Sequence, residues 1–214
     1  MKRVFVYCEG LSEEAFVNNL LNPYFAQMGI YVYPILCTTS RKHGQFKGGA
    51  TTYGKIRHEL AKIAKEYRGS LITSMFDYYA LPKDFPGLDC TFADPYKRIA
   101  HIEAAVNADL GFSNLRFNLV LHEMEALLFS EPSAFSEIAD PKVVKQLEGI
   151  RQQYPNPELI NNSVNTAPSK RIPALISSYL KTRNGIAVAQ EIGIVKMRAE
   201  CPHFDAWIQS IISF

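Results

Sequence analysis

Cysteine is scarce in this chain and never closely spaced: Cys8, Cys37, Cys90 and Cys201 stand far apart. That spacing excludes a disulfide framework and a zinc knuckle and leaves the four as small buried hydrophobes. No apolar run approaches the length of a membrane span, and the one behind Lys2 and Arg3 is too short for a secretory core. The expected location is therefore the cytoplasm, with no membrane partner. A surplus of one charge is missing too: 23 Lys and Arg against 21 Asp and Glu leave a net charge of +2, which argues neither for nor against nucleic acid. What is present is ample apolar material. With 214 residues, 47% of them hydrophobic and 12% aromatic, the chain can bury a substantial core as one domain with an elaboration. The charges are unevenly spread: residues 1–70 hold ten basic and five acidic residues, 71–140 four and eleven, and 141–214 nine and five. An acidic middle between basic flanks suits a metal site within a phosphate-binding surface, and plain compositional drift gives the same pattern.

Val4-Phe5-Val6-Tyr7-Cys8 is a short apolar run of the kind buried on both faces of a parallel sheet, and it ends at Glu9-Gly10. A carboxylate at the carboxyl end of such a strand sits where open α/β sheets place ligands. Ser12 is positioned to cap the helix that follows, with Glu13 and Glu14 in its first turn. Apolar spacing predicts that helix over 12–28, kinked at Pro23 and ended by Gly29. A second strand over 31–37 contains Pro34, which assigns it to a sheet edge or a bulge. Residues 38–52 lose all periodicity, with Arg41, Lys42, His43 and Lys47 set among glycines. Such a loop suits closure over a phosphate backbone, or is simply solvated.

A helix over 53–67 leads to Leu71-Ile72-Thr73-Ser74-Met75-Phe76, which repeats the first strand and, like it, ends on a carboxylate, Asp77. Neighbouring parallel strands would put Glu9 and Asp77 on one edge. The aromatic segment 78–87 offers rings that stack on bases or pack the loop down. Asp94-Pro95 opens a helix that buries Ile99, Ile102, Val106 and Leu110. A further strand over 115–121 runs into His122-Glu123-Met124-Glu125. Extended backbone there aims the two glutamates the same way, whereas a helix from His122 turns them roughly 200° apart. His122 is open between general base, ligand and buried hydrogen-bonding residue.

The last third reads as a helical appendage, with helices over 141–153, along Ile172, Leu175, Ile176, Tyr179 and Leu180, and along Phe204, Trp207, Ile208 and Ile211. Lys170 and Arg171 fall at a helix start that Pro173 confines to the residues just before it, where the dipole favours anions. Ser169, Lys170 and Arg171 are therefore candidates to bind a substrate phosphate, against plain capping with incidental surface charge. Cys201 and His203 make a poor zinc pair and are expected to pack.

Several of these stretches carry a resemblance. Cys8-Glu9-Gly10-Leu11-Ser12-Glu13, followed by a strand ending in Asp77, resembles the Toprim fold, and the glutamate-glycine opening is similar to that of OLD-family nucleases. Together with Phe76-Asp77-Tyr78-Tyr79-Ala80-Leu81-Pro82, His122-Glu123-Met124-Glu125-Ala126-Leu127-Leu128-Phe129, Ala167-Pro168-Ser169-Lys170-Arg171-Ile172 and Cys201-Pro202-His203-Phe204, it resembles an uncharacterised Toprim-like family of small prokaryotic proteins, one of the numbered families of unknown function. The resemblance implies a Toprim-like α/β domain over 1–130, its mainly parallel sheet flanked by helices, with a helical C-terminal extension over 131–214 packed on it. It implies a metal-dependent nuclease cutting DNA or RNA, in phage defence or nucleic-acid processing. Glu9, Asp77, Glu123 and His122 would be catalytic, and Mg2+ or Mn2+ would be held by Glu9, Glu13, Asp77, Glu123 and Glu125. Ser169, Lys170, Arg171, Arg41, Lys42 and Lys47 would hold phosphate. Expected partners are nucleic acid, an ATPase encoded nearby and a second copy in a homodimer. Toprim sites carry an Asp-x-Asp pair, but the second position here is Tyr79, so Glu123 or Glu125 would have to substitute. The competing class is a non-catalytic nucleic-acid or nucleotide-binding partner of an ATPase, and a third is hydrolysis of small phosphoryl compounds.

Overall fold

The computed structural model describes residues 1–38, 52–160 and 166–214. Its frame is a parallel sheet. β1 (Lys2–Cys8) lies between β2 (Ile30–Leu36) and β3 (Leu71–Asp77) and runs parallel to both. β2 is the edge strand, which is where Pro34 can sit without breaking a central ladder. β4 (Leu115–Arg116) and β5 (Leu119–Val120) pair in turn along the far side of β3, again in parallel. The predicted strand over 115–121 is thus split in two. Ser74 is the cause: its hydroxyl donates to the Asn118 carbonyl at 2.8 Å and accepts from the Asn118 N–H at 2.9 Å, taking the place of a ladder pair. Asn107 and Glu103 accept from the Phe117 and Leu119 N–H groups on either side.

The period of two in β1 and β3 serves two cores. Val4, Val6, Cys8, Leu71 and Met75 face a cluster with Phe16, Leu21, Phe25 and the C-terminal helices. Tyr7, Ile72 and Phe76 face the opposite cluster, with Ile56, Leu60, Ile99, Ile102 and Val106. The second cluster is supplied by α3 (Tyr53–Glu66) and α4 (Pro95–Leu110), whose buried residues follow the helical period. Asp94 caps α4 by accepting from the Tyr96 and Lys97 N–H groups, and Gly111 ends it at φ 65°.

On the other face, α1 (Leu11–Phe16) continues through a wide π-type turn, Val17–Leu21, into α2 (Asn22–Ala26). The wide turn sits immediately before Pro23, whose missing N–H an ordinary α-turn would need. Ser12 does not cap this run: the N-cap is Gly10, with no side-chain bond. α5 (Pro141–Arg151), α6 (Pro168–Leu175), α7 (Ile186–Glu200) and α8 (Pro202–Ile212) complete that face. α6 begins with Pro168 in its first turn and contains Pro173 in its interior. It stops at Leu175, so the predicted helical stripe to Leu180 fails and Leu180 is exposed. α8 lies on the sheet itself, with Trp207 Nε1 donating to Thr73 Oγ1 at 2.9 Å. Among the described residues, no helix is long and apolar enough to cross a membrane.

Candidate acidic site at the carboxyl edge of the sheet

The chain leaves β1 for one side of the sheet and reaches β3 on the other, so the carboxyl ends of β1 and β3 flank a point where strand order reverses. Connections diverge at such a point and leave a crevice for a ligand. Glu9 and Asp77 are the residues at those ends. The Glu9 N–H extends the ladder to the Met75 carbonyl at 3.3 Å, and Glu9 Oε2 accepts from the Asp77 N–H at 3.3 Å. Glu13, one turn into α1, is buried. A Cβ at position 10 would meet Glu13 Oε2 at 3.2 Å, so Gly10 leaves the space that this carboxylate uses.

The stretch after β5 supplies the next group. His122 turns the chain sharply at φ 65°, Glu123 is extended, and Met124–Ser130 coils as a tight 3-10 turn. Neither anticipated geometry for 122–125 is realised, and the two glutamates part company. Glu125 is fully buried and its carboxylate meets the ammonium of Lys181. Apart from that ion pair, neither of its oxygens has a hydrogen-bond partner among the described residues. Asp77 Oδ1 accepts from the Met124 N–H at 3.0 Å, tying the turn to β3.

Glu123 points elsewhere. Its two oxygens accept from the Ser169 N–H at 2.9 Å and the Ser169 hydroxyl at 2.7 Å, at the start of α6. The anion that this helix start attracts is thus a carboxylate of the same chain. Arg171 donates to the Thr166 carbonyl and the Tyr154 hydroxyl and lies 5.9 Å from the centre of the Tyr154 ring, while Lys170 is exposed. Arg41, Lys42 and Lys47 lie outside the described residues. Tyr79 is exposed, with its N–H donating to the His122 carbonyl. The His122 ring is buried and its Nδ1 has no hydrogen-bond partner among the described residues.

Crowding shows in the acidities. Burial, then the Glu13 charge, pushes Glu9 up to about 7 against the help of the Asp77 N–H and Lys181. Burial followed by Glu13, Glu125 and Glu9 pushes Asp77 well above the carboxylate range. Glu13 and Glu125 are raised as well, both chiefly by burial, with Lys181 pulling each down. Burial alone would lower Lys181, but Glu125, Asp77 and Glu123 outweigh it and hold the ammonium charged. His122 moves the other way, to about 4, because burial disfavours its cation. Its ring is neutral at neutral pH.

A family described as a domain of unknown function, DUF4276, matches residues 8–212. The chain belongs to that family. No curated protein and no solved structure is significantly similar to it. The DUF4276 match takes in the whole acidic edge, from Glu9 to Lys181. Sequence reasoning singled out the carboxylates that meet at this edge and missed Lys181 and Tyr179 beside them. Tyr179 is buried, and burial, with the Glu125 charge behind it, pushes the pKa of its hydroxyl up. The one signal for Lys181 was arithmetic: several buried carboxylates at one edge need a cation, and no motif says which lysine provides it. Among the described residues, no group of three or more His, Cys, Asp and Glu side chains is already arranged to hold a metal ion.

Proposed function

We propose that this chain is a metal-dependent phosphodiesterase acting on nucleic acid, DNA or RNA, with a Toprim-like sheet. The observation that carries the reading is the gathering of Glu9, Glu13, Asp77 and Glu125 from three separate parts of the chain to one edge of a parallel sheet, where burial raises all four and the charges of the others add to it at Glu9, Glu13 and Asp77. Perturbed carboxylates at a strand-order switch are a signature of a working site. The donor set fits Mg2+ or Mn2+, since it is all hard oxygen, Gly10 keeps room beside Glu13, and Glu125 has a buried oxygen without a hydrogen bond. Glu9, Glu13, Asp77 and Glu125 would hold the ion. Glu123 fits less well, because both its oxygens are taken by Ser169. Bound there, a divalent cation supplies Lewis acidity toward a phosphate oxygen.

The chain's own residues set the rest. The Asp77 N–H fixes the rotamer of Glu9, and the Met124 N–H fixes that of Asp77. Neutral His122 is too buried to reach a substrate and acts by turning the backbone so that Glu125 faces the site. Tyr79 presents an exposed ring two residues from Asp77 and suits stacking on a base.

The second reading is a non-catalytic nucleic-acid or nucleotide-binding partner of an ATPase. It is favoured by one observation: two of the carboxylates are already engaged, Glu123 by Ser169 and Glu125 by Lys181. Labelled single- and double-stranded DNA and RNA, incubated with Mg2+ or Mn2+, separate the two. Cleavage that falls at least about 100-fold in both Glu9→Gln and Asp77→Asn supports the phosphodiesterase. Metal-independent binding without cleavage, or cleavage untouched by either substitution, refutes it.

A further inference from the structure

Among the described residues the acidic edge holds the ammonium of Lys181 against Glu125, and Lys181 is placed unlike its partner. The Glu125 side chain is 0% exposed, whereas that of Lys181 is 42% exposed. The carboxylate is enclosed, while the lysine side chain reaches solvent along part of its length. The backbone beneath Lys181 is firm. Residues Lys181–Gly185 form a single wide turn in which the N–H groups of Arg183, Asn184 and Gly185 all point to the Leu180 carbonyl, and Asn184 Oδ1 accepts from the Leu180 N–H at 2.9 Å. This turn packs against α1, which carries Glu13. Motion of Lys181 is therefore a matter of side-chain torsions and does not require the fold to open.

Glu125 is short of donors even with Lys181 in place. Beyond the ammonium, Glu125 has no hydrogen-bond partner among the described residues, and neither has the Tyr179 hydroxyl, which is buried and lies in the field of Glu125. Gly185 secures that hydroxyl, because a Cβ there would sit 2.6 Å from it. A monovalent, strongly hydrated ammonium is a weak match for such a concentration of buried negative charge, and a divalent cation is a better one.

We propose that Lys181 is the resident counter-cation of this site and that a divalent ion binds by displacing its ammonium from Glu125. The inference rests on the metal-binding part of the function proposed above and needs none of its nuclease chemistry. Lys181 thereby sets the affinity threshold for the metal and keeps the carboxylates from repelling one another in its absence.

Calorimetric titration with Mn2+ and no substrate tests this on the full chain. Lys181→Met should bind Mn2+ about tenfold tighter than wild type, the order expected for removing one like charge from the site. Its metal-free melting temperature should fall and should recover at saturating Mn2+, while Lys181→Arg stays within about threefold of wild type. Unchanged or weaker Mn2+ binding in a folded Lys181→Met overturns the proposal and makes Lys181 a tether for Glu125. Binding by neither protein removes the metal reading itself. The wild-type chain gives an independent readout should the variant not fold. Acetylation of Lys181 by an amine-reactive ester, followed by mass spectrometry with exposed Lys142 as reference, should speed up severalfold with Mn2+; an unchanged or slower rate overturns the proposal.

Discussion

Two groups of buried and half-buried acids lie on this molecule, at the carboxyl edge of the sheet and at the start of α8, and they are built in opposite ways. At α8, the two oxygens of Glu158 accept from the N–H groups of His203 and Phe204 at 3.0 and 2.8 Å, and the Tyr96 hydroxyl stands 3.1 Å away. Glu103 beside it accepts from the Leu119 N–H at 2.8 Å and faces His203 Nε2 at 3.2 Å. Each acid there meets fixed donors, several of them backbone. At the sheet edge, among the described residues, Glu9 and Asp77 each accept from one N–H group, Glu125 meets the Lys181 ammonium, and the charge of Glu13 is felt by Glu9 and Asp77. Residue type and depth are similar in the two places. What differs, among the described residues, is whether the chain itself supplies the balancing donors, and the shortage at the sheet edge is what the proposed metal site rests on.

The largest expected contrast is in stability. Glu158→Ala leaves two N–H groups in the first turn of α8 without an acceptor, a loss of about 3 kcal/mol, while the Tyr96 hydroxyl keeps Asn156 Oδ1. Asp77→Asn keeps an oxygen for the Met124 N–H and removes one of several crowded charges, so the metal-free protein should hold its stability or gain about 1 kcal/mol. Urea unfolding in chelator measures both. Equal losses in the two variants would erase the distinction between the regions.

This contrast also marks what the sequence could show. β1 and β3, with a carboxylate closing each, were legible because a strand buried on both faces writes a continuous apolar run and a carboxylate interrupts it visibly. The 3.6-residue stripes of α3, α4 and α8 were legible for the same kind of reason, and Asp94-Pro95 announced its own cap. α7 was not, since its buried residues, Ile186, Val188, Ala189, Ile192, Ile194 and Met197, do not keep to one stripe and Gly193 breaks the helix at φ 73°. Lys181 was hidden because its meaning comes from Glu125, far away in sequence. Lys170 and Arg171 suggested an awaited anion, and one exists, but it is Glu123 of the same chain. Ser12 looked like a cap, yet Gly10 holds that place for the sake of Glu13.

A smaller effect separates the regions by pH. Glu9 titrates at about 7 in the fold against 4.5 for an ordinary glutamate. The folded state therefore binds its proton more tightly, and stability falls as pH rises from about 4.5 to about 7, by at most about 3 kcal/mol at about 1.4 kcal/mol per unit. His122, lowered to about 4, works in the other direction, withdrawing stability as pH falls below its unfolded value near 6.5. The difference between wild type and Glu9→Gln isolates the Glu9 part. In chelator the wild-type protein should lose stability relative to Glu9→Gln between pH 5 and 7.5, and saturating Mg2+ should abolish that relative loss. A gap that stays level with pH would mean that Glu9 is not crowded.

The smallest effect belongs to His203. Burial alone would lower its pKa, but the bond to Glu103, with Glu158 behind it, wins and raises it. A raised histidine stabilises the fold fully below the unfolded value near 6.5, and that contribution disappears as pH climbs through the folded value. His203→Gln still offers Glu103 a neutral donor, so it should be less stable than wild type by about 1 kcal/mol at pH 6 and match it at pH 9. Mg2+ supplies the decisive comparison. Both partners of this pair come from the chain, so the ion should leave the His203 difference unchanged while it cancels the Glu9 one. An ion effect on His203 would mean that the start of α8 and the acidic edge respond as one site and not as two.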